Sequence, residues 1–184
     1  MRADARRNRE RIVEAALRTF AERGPAASME EIAQVAGVGV GTLYRHFPDR
    51  RALLEEIASE ALERLIAFAR TLAPPPAAHD SGAPGDGGGT PGWDALLRLV
   101  DYSVAQPYAL LKTVGEEAAA VPPDRLREAD ALIAGIAERA QKEGTLRSDV
   151  TPAEVVAIFG TAVCRPGARA DDPLIRVMLD GLRV

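Results

Sequence analysis

The amino-acid sequence predicts an all-α fold of about nine helices, divided into an N-terminal domain of residues 1–50 and a C-terminal domain of residues 51–184. Three observations support this prediction. Apolar residues recur three and four positions apart in one segment after another, which is the period of an amphipathic helix. Proline, glycine and helix-capping residues separate these segments. No segment of consequence alternates between apolar and polar residues, as a half-buried strand does.

The first two predicted helices have clear ends. Residues 9–22 carry an apolar stripe at helical spacing and are followed by a Gly-Pro pair. The second helix begins at Ser28, because Ser28 and Glu31 have the spacing of a capping box, in which each side chain satisfies a backbone N–H at the other position. Gly37 ends this helix, since glycine adopts the left-handed conformation of a helix end at little cost.

A short helix and a long one come next. The third helix, residues 40–47, is stopped by Pro48. The fourth begins at Arg50 and continues to Leu72, with apolar residues at every third or fourth position. A helix of this length extends over about 33 Å.

Residues 74–92 interrupt the helical pattern. Eleven of these 19 residues are proline or glycine, which predicts a flexible loop. Five further helices are expected, at about residues 93–104, 107–120, 123–143, 151–164 and 172–183. Thr151 and Glu154 form a second capping box, and Leu126 is among the apolar residues expected to face inward.

Charge is distributed unevenly along the chain. The net charge of the 184 residues is −4, but residues 1–51 contain ten Arg and seven Asp or Glu, a balance of +3, which leaves −7 for the remainder. A basic N-terminal domain joined to an acidic one is typical of a DNA-binding domain fused to a domain of another kind. No signal-peptide pattern and no membrane-spanning apolar run is evident, so we expect a cytoplasmic protein.

The segment GVGVGTLYRHF, residues 37–47, combines glycines with polar and aromatic side chains. Two short helices joined by a glycine-containing turn constitute a helix-turn-helix, whose second helix enters the DNA major groove by its N-terminal end. Gly37 makes the turn, while Gly39 and Gly41 leave the leading edge of the second helix bare. The side chains of Thr42, Tyr44 and His46 can hydrogen-bond to phosphate oxygens, whereas Leu43 and Phe47 face the core.

Three longer segments resemble the DNA-binding domain of the TetR family of bacterial transcriptional regulators. They are RERIVEAALRTFAERG, SMEEIAQVAGVGVGTLYRHF and PDRRALLEEI, which together span residues 9–57. The segment EGTLRSDVTPAEVVAIF also resembles an SbtR-like C-terminal subgroup. The resemblance implies an N-terminal three-helix helix-turn-helix domain and a C-terminal helical domain for ligand binding and dimerisation.

The resemblance also implies roles for individual residues in this DNA-binding domain. Ser28 would bind phosphate, and the base-facing positions are Val40, Gly41 and Thr42. Tyr44, His46 and Arg50 would hold the DNA backbone. Because Val40 and Gly41 cannot make bidentate hydrogen bonds to a base, additional readout is expected from Arg45 or from an N-terminal arm carrying Arg2, Arg6 and Arg7.

In the C-terminal domain the resemblance implies an effector pocket and a homodimer interface. The aromatic residues that could line the pocket are Trp93, Tyr102, Tyr108 and Phe159, although aromatic residues at helical spacing also suit a plain core. The last two helices would pair with their two-fold mates as a four-helix bundle. The interface residues expected there are Val155, Val156, Phe159, Val163, Leu174, Val177 and Met178.

The predicted function is a one-component regulator, typically a repressor, that binds a palindromic DNA operator as a dimer and is released by a small-molecule effector. The alternative is a DNA-binding or interaction module without a ligand switch. An enzyme is not expected, since the only histidines are His46, in the motif, and His79, in the loop. We expect no metal and no cofactor. Cys164, the single cysteine, excludes a disulfide framework and is expected to be a buried small apolar residue.

Overall fold

The structure is a computed structural model that describes residues 2–72, 91–114, 122–169 and 171–184. Over these ranges the chain forms nine α-helices and one turn of 3₁₀ helix, Gly24–Ala26. The helices are α1 (Arg2–Arg23), α2 (Met29–Ala36), α3 (Val40–His46), α4 (Arg50–Leu72), α5 (Gly92–Val104), α6 (Tyr108–Val114), α7 (Pro123–Lys142), α8 (Pro152–Val163) and α9 (Pro173–Leu182). The all-α prediction is confirmed. The one β contact in the described ranges is an isolated antiparallel bridge between Leu146 and Arg183.

Both predicted capping boxes are present. The Ser28 hydroxyl accepts a hydrogen bond from the Glu31 backbone N–H, and the Ser28 N–H donates to the Glu31 carboxylate, each at 3.1 Å. Thr151 and Glu154 make the same pair of contacts at the start of α8. Gly37 adopts φ +64° at the end of α2, as expected of a left-handed helix end.

The start of the chain differs from the prediction. Helix α1 begins at Arg2 rather than at residue 9, so Arg6 and Arg7 lie on a continuous helix and not on an extended arm. Arg6 forms an ion pair with Glu10, and Arg7 forms one with Asp4. Pairs at this spacing support a helix, which is why the polar first turns extend it.

The apolar side chains form two cores. The N-terminal core is built from α1, α2 and α3, and it includes Leu53, Leu54 and Ile57 from the first turns of α4. The C-terminal core begins at Leu62 on the same helix. The two cores therefore meet within α4, several residues beyond the predicted domain boundary at residue 50.

The predicted loop 74–92 ends earlier than expected. Gly92 is buried in the first turn of α5, where a Cβ would lie 2.4 Å from the Ala140 backbone nitrogen of α7. Its N–H donates to the Glu143 carboxylate at 2.7 Å. One turn earlier on α7, Arg139 donates to the Leu72 carbonyl at the end of α4, at 2.9 Å. A single turn of α7 thus holds both flanks of residues 73–91.

The sequence also predicted the extent of α6 and the burial of Leu126. The predicted helix 107–120 is present as α6 up to Val114, and residues 115–121 lie outside the described ranges. Leu126, expected to face inward, is instead 49% exposed on α7. No described helix has the length and apolar character that crossing a membrane requires.

Candidate DNA-binding surface and ligand cavity

The turn between α2 and α3 is fixed by backbone and arginine contacts. The Gly37 N–H donates to the Gln34 carbonyl, and the Val38 N–H donates to the Ala33 carbonyl. The Arg11 guanidinium donates to the Ala36 carbonyl at 2.6 Å, and a Cβ on Gly37 would approach that guanidinium within 2.8 Å. The positive φ therefore favours glycine in this turn, whereas the flexible end of the Arg11 side chain would have to shift to admit a Cβ.

Helix α3 has one buried side and one exposed side. Leu43 and Phe47 are 0% and 1% exposed and belong to the N-terminal core, as predicted. Val40 and Tyr44 are 40% and 39% exposed, and Gly41 and Arg45 are also exposed. Most of the predicted base- and phosphate-contacting residues are thus together on the outer surface of α3.

The polar side chains of α3 have partners within the domain. The Tyr44 hydroxyl donates to Glu30 of α2 at 3.3 Å, and burial of the ring together with the Glu30 charge raises the pKa of Tyr44. Arg45 donates to the Thr42 hydroxyl at 2.9 Å. These contacts orient the side chains of Tyr44 and Arg45, which remain exposed on the surface of α3. His46 is half-buried at the end of the helix.

Two arginines hold the N-terminal domain together. Arg50, predicted to grip the DNA backbone, instead donates to the Ala27 carbonyl and stacks 4.6 Å from the Phe20 ring centre. Burial lowers the pKa of its guanidinium. Its internal contacts leave a phosphate role without support.

The second of these arginines, Arg9, carries no sequence signal. Its guanidinium donates to Glu56 of α4 at 2.7 Å and lies 4.6 Å from the Phe47 ring centre. The hydrogen bond raises the pKa of Arg9 and lowers the pKa of Glu56. Residues 47 positions apart form this pair, so helical spacing alone could not have identified it.

A cavity of about 140 Å³ lies between α4, α6, α7 and α8 in the C-terminal domain. Tyr108 and Phe159, two of the four predicted pocket residues, line it. The other two, Trp93 and Tyr102, do not line this cavity. Trp93 is buried beneath Arg183, which lies 5.8 Å from its ring centre, and Tyr102 stacks on Phe68 at 4.2 Å.

The polar groups of the cavity are few. The Tyr108 hydroxyl donates to the Ala61 carbonyl of α4 at 2.8 Å, and burial raises the pKa of this hydroxyl. Burial likewise raises the pKa of the Cys164 thiol, which is half-buried rather than fully buried. The third polar side chain is Asp130 of α7. The other residues of the lining that the structure describes have apolar side chains or are glycine.

The predicted dimer residues are divided between the core and the surface. Val155, Phe159 and Val163 of α8 are at most 5% exposed within the protomer, so they cannot form the predicted interface face. On α9, Leu174 and Val177 are 46% and 67% exposed. Val156 and Met178 are partly buried against the C-terminal core.

Known proteins match both domains. Residues 12–57 match the family described as "Bacterial regulatory proteins, tetR family", and residues 96–184 match "Transcriptional regulator SbtR-like, C-terminal domain". A TetR transcription regulatory protein from Mycobacterium vanbaalenii, known from its crystal structure, is 33% identical, with a TM-score of 0.65 over 100% of this chain and 99% of that one. The chain belongs to the TetR family of transcriptional regulators.

Two further relatives differ in how much of their length they share with this chain. A TetR transcriptional regulator from Streptomyces coelicolor is 29% identical over 95% of this chain and 98% of its own, with a TM-score of 0.61. An HTH-type transcriptional regulator of Staphylococcus aureus strain USA300 is 45% identical over 67 residues, which is 36% of each protein. The match to that regulator therefore spans about a third of its length. Family membership confirms the helix-turn-helix prediction and the role in transcription regulation.

Proposed function

We propose that this TetR-family protein represses transcription by binding a two-fold-symmetric DNA operator as a homodimer, and that a small molecule in the cavity releases it. The exposed, bare surface of α3 around Gly41 is the observation that carries the DNA-binding part. A Cβ at Gly41 would contact no atom of the protein, so packing gives no reason for glycine at this helical position. Close approach of DNA to the α3 backbone would give one.

The neighbouring side chains suit the two kinds of DNA contact. Val40 offers an apolar surface to a thymine methyl group, and Arg45 can reach base edges or phosphate. The Tyr44 hydroxyl can exchange its bond with Glu30 for one to a phosphate oxygen. Ser28 accepts a hydrogen bond in its capping box and keeps its hydroxyl proton for a phosphate at the N-terminus of α2.

Selection of DNA tests this part of the proposal. The full-length protein would be used to enrich fragments from a random-sequence library, followed by sequencing and a gel-shift titration of the enriched site. We expect two inverted half-sites whose centres are about 10–10.5 base pairs, or a multiple of that spacing, apart. Failure to enrich any sequence over successive rounds would count against specific operator binding.

Helix α6 offers a physical connection between the cavity and the DNA-binding domain. The Tyr108 ring lines the cavity while its hydroxyl bonds to the middle of α4. Leu110 and Leu111, further along the same helix, pack against the N-terminal core. A ligand that displaces Tyr108 would therefore act on α4 and on the DNA-binding domain together. For this coupling, the ligand needs only to bind one of two arrangements of these helices more tightly than the other.

A thermal-shift screen tests this part separately. A ligand specific for one folded state raises the melting temperature according to its concentration and affinity. An effector must in addition weaken the gel shift of the selected operator. Compounds that stabilise the protein without changing operator affinity would favour the module without a ligand switch.

A further inference from the structure

Among the described residues that line the cavity, only Asp130 of α7 carries a carboxylate. We infer that the cavity binds a small hydrophobic cation, an apolar body carrying one ammonium group, and that Asp130 is its counter-ion. This inference rests on the proposed effector role of the cavity and specifies the chemical class of the effector.

The volume and the lining of the cavity indicate the size and the apolar character of the ligand body. Leucine, isoleucine, valine and phenylalanine side chains from α4, α7 and α8 form most of the wall. A volume of about 140 Å³ is close to that of an apolar cavity that holds one benzene-sized ring. The ligand body is therefore about the size of a single ring. The remaining polar groups of the wall, the bonded Tyr108 hydroxyl and the Cys164 thiol, carry no charge.

Asp130 has no partner in the part of the chain that the structure describes. Among the other acids of α7, Asp124 pairs with Arg127, Glu128 pairs with Arg70 and Arg125, and Glu138 is exposed to solvent, whereas Asp130 is half-buried. A carboxylate half-buried beside an apolar wall is stabilised by a cation that also donates hydrogen bonds. A bound ammonium group supplies both.

Two basic residues act electrostatically on polar groups of the cavity wall. Arg64 and Lys112 influence the pKa values of Tyr108 and Cys164, but neither side chain lines the cavity. Arg64 is also 3.5 Å from Glu60. Asp130 and Val156 border both the cavity and an adjoining surface groove, so the carboxylate is accessible to a ligand entering from solvent.

Three probes with the same ring and different polar groups test the inference: benzylamine, benzyl alcohol and benzoate. Each would be titrated into the full-length protein by thermal shift and isothermal calorimetry. We expect benzylamine to bind at least tenfold more tightly than benzyl alcohol, and benzoate to bind more weakly than either. The preference follows from one charge-assisted hydrogen bond in a largely apolar site.

Two matched variants assign the preference to a residue. Asp130→Asn should reduce benzylamine affinity at least tenfold and leave benzyl alcohol affinity within about twofold, which also shows that the cavity is intact. Glu138→Gln removes a second carboxylate that borders the adjoining groove, two turns further along α7 and outside the cavity wall, and should change neither affinity if the ligand is held in the cavity. A preference for benzylamine that survives Asp130→Asn would overturn the inference.

The remaining outcomes separate this inference from the proposed function. Equal binding of the three probes, or a preference for benzoate, overturns the cation class but leaves an effector cavity. Binding of none of them overturns the inference, while the effector role of the cavity is decided by the broader thermal-shift screen and the operator gel shift. Operator binding is measured without any probe, so the DNA-binding proposal stands or fails independently.

Discussion

Gly41 and Gly135 are exposed helical glycines, and at each of them a Cβ would contact no atom of the protein. Alanine is more favourable than glycine inside a helix by about 0.5–1 kcal/mol. We therefore expect Gly41→Ala to raise the free energy of unfolding by about that amount. We also expect it to weaken operator binding by about tenfold, because the added methyl group lies between α3 and the DNA.

Chemical denaturation and gel-shift titration measure the two effects. Gly135→Ala is the matched control, since it lies on α7 in the other domain and should stabilise the protein without changing operator affinity. If Gly41→Ala binds the operator as tightly as the native chain, the bare surface of α3 has no role in DNA access.

Glu56 connects the stability of the N-terminal domain to pH. Arg9 lowers the pKa of Glu56 below its usual value of 4.5 in the folded protein. The folded state therefore binds fewer protons than the unfolded state in the acid range, so the pair stabilises the domain above about pH 4.5. This contribution is lost as the pH falls through the lowered pKa.

Denaturant unfolding of Glu56→Gln at a series of pH values tests this linkage. The variant should be less stable than the native chain at pH 6–7, and the difference should vanish towards pH 3. Glu55→Gln is the control, because Glu55 pairs with Arg51 on an exposed surface of α4 and such pairs contribute little. If the difference in unfolding free energy between Glu56→Gln and the native chain did not change with pH, it could not be assigned to the ionised Arg9–Glu56 pair.

The sequence was least informative about the roles of individual polar side chains. Helical spacing correctly assigned Leu43 and Phe47 to the core, because burial follows the period of the helix. It could not assign Arg9 or Arg50 to structural roles, since their partners come from distant parts of the chain. An arginine in a basic domain gives the same sequence signal whether it contacts DNA or a carbonyl of its own domain.

Among the helices, the contact of α5 with α7 is the most sensitive to a single added atom. A Cβ at Gly92 would lie within 3 Å of three atoms of Ala140, two of which are backbone atoms. Gly92→Ala must therefore separate the two helices, and overpacking of this kind costs about 1–3 kcal/mol. A lowered melting temperature would be measured by circular dichroism, with Gly135→Ala as the unhindered control. An unchanged melting temperature would contradict the close approach.

The segment between α4 and α5 should tolerate shortening. Arg139 and Glu143 hold its two flanks on one turn of α7, so few residues are needed to connect them. Deleting residues 79–88 keeps nine linking residues and changes the loop-closure free energy by less than about 1 kcal/mol. We expect the melting temperature to fall by less than about 5 °C. A larger fall would mean that the deleted residues contribute to the folded structure.

The existence and ends of the helices were predictable because capping residues, prolines and apolar spacing are local signals. Packing between helices was not. The sequence assigned Gly92 to a loop on account of its proline- and glycine-rich neighbours, whereas its reason for being glycine is Ala140, far along the chain. Helix α8 is apolar on several sides, so its sequence did not reveal which side is buried within the protomer.

The exposed apolar surface of α9 is the structural feature that still supports the proposed dimer, because the predicted interface residues of α8 are mostly buried within the protomer. Leu174 and Val177 are apolar and largely exposed in the protomer, and they lie one turn apart on α9. A palindromic operator requires two α3 helices about one DNA turn apart, and a two-fold dimer is the kind of assembly that can present them. We expect Val177→Asp to produce a monomer, because two carboxylates would lie near the two-fold axis. Operator affinity should fall by at least tenfold, although the DNA-binding domain is unchanged.

Sedimentation at micromolar concentration and gel-shift titration measure both consequences. Phe159 is unsuitable for this test, since an aspartate there would be buried in the protomer core and would unfold it. Val35→Asp is a suitable control, because Val35 is also apolar and 49% exposed but lies on α2 of the DNA-binding domain. It should leave the dimer intact. If the native chain sediments as a monomer, or if Val177→Asp remains a dimer, α9 is not the interface and the operator must be bound through another surface.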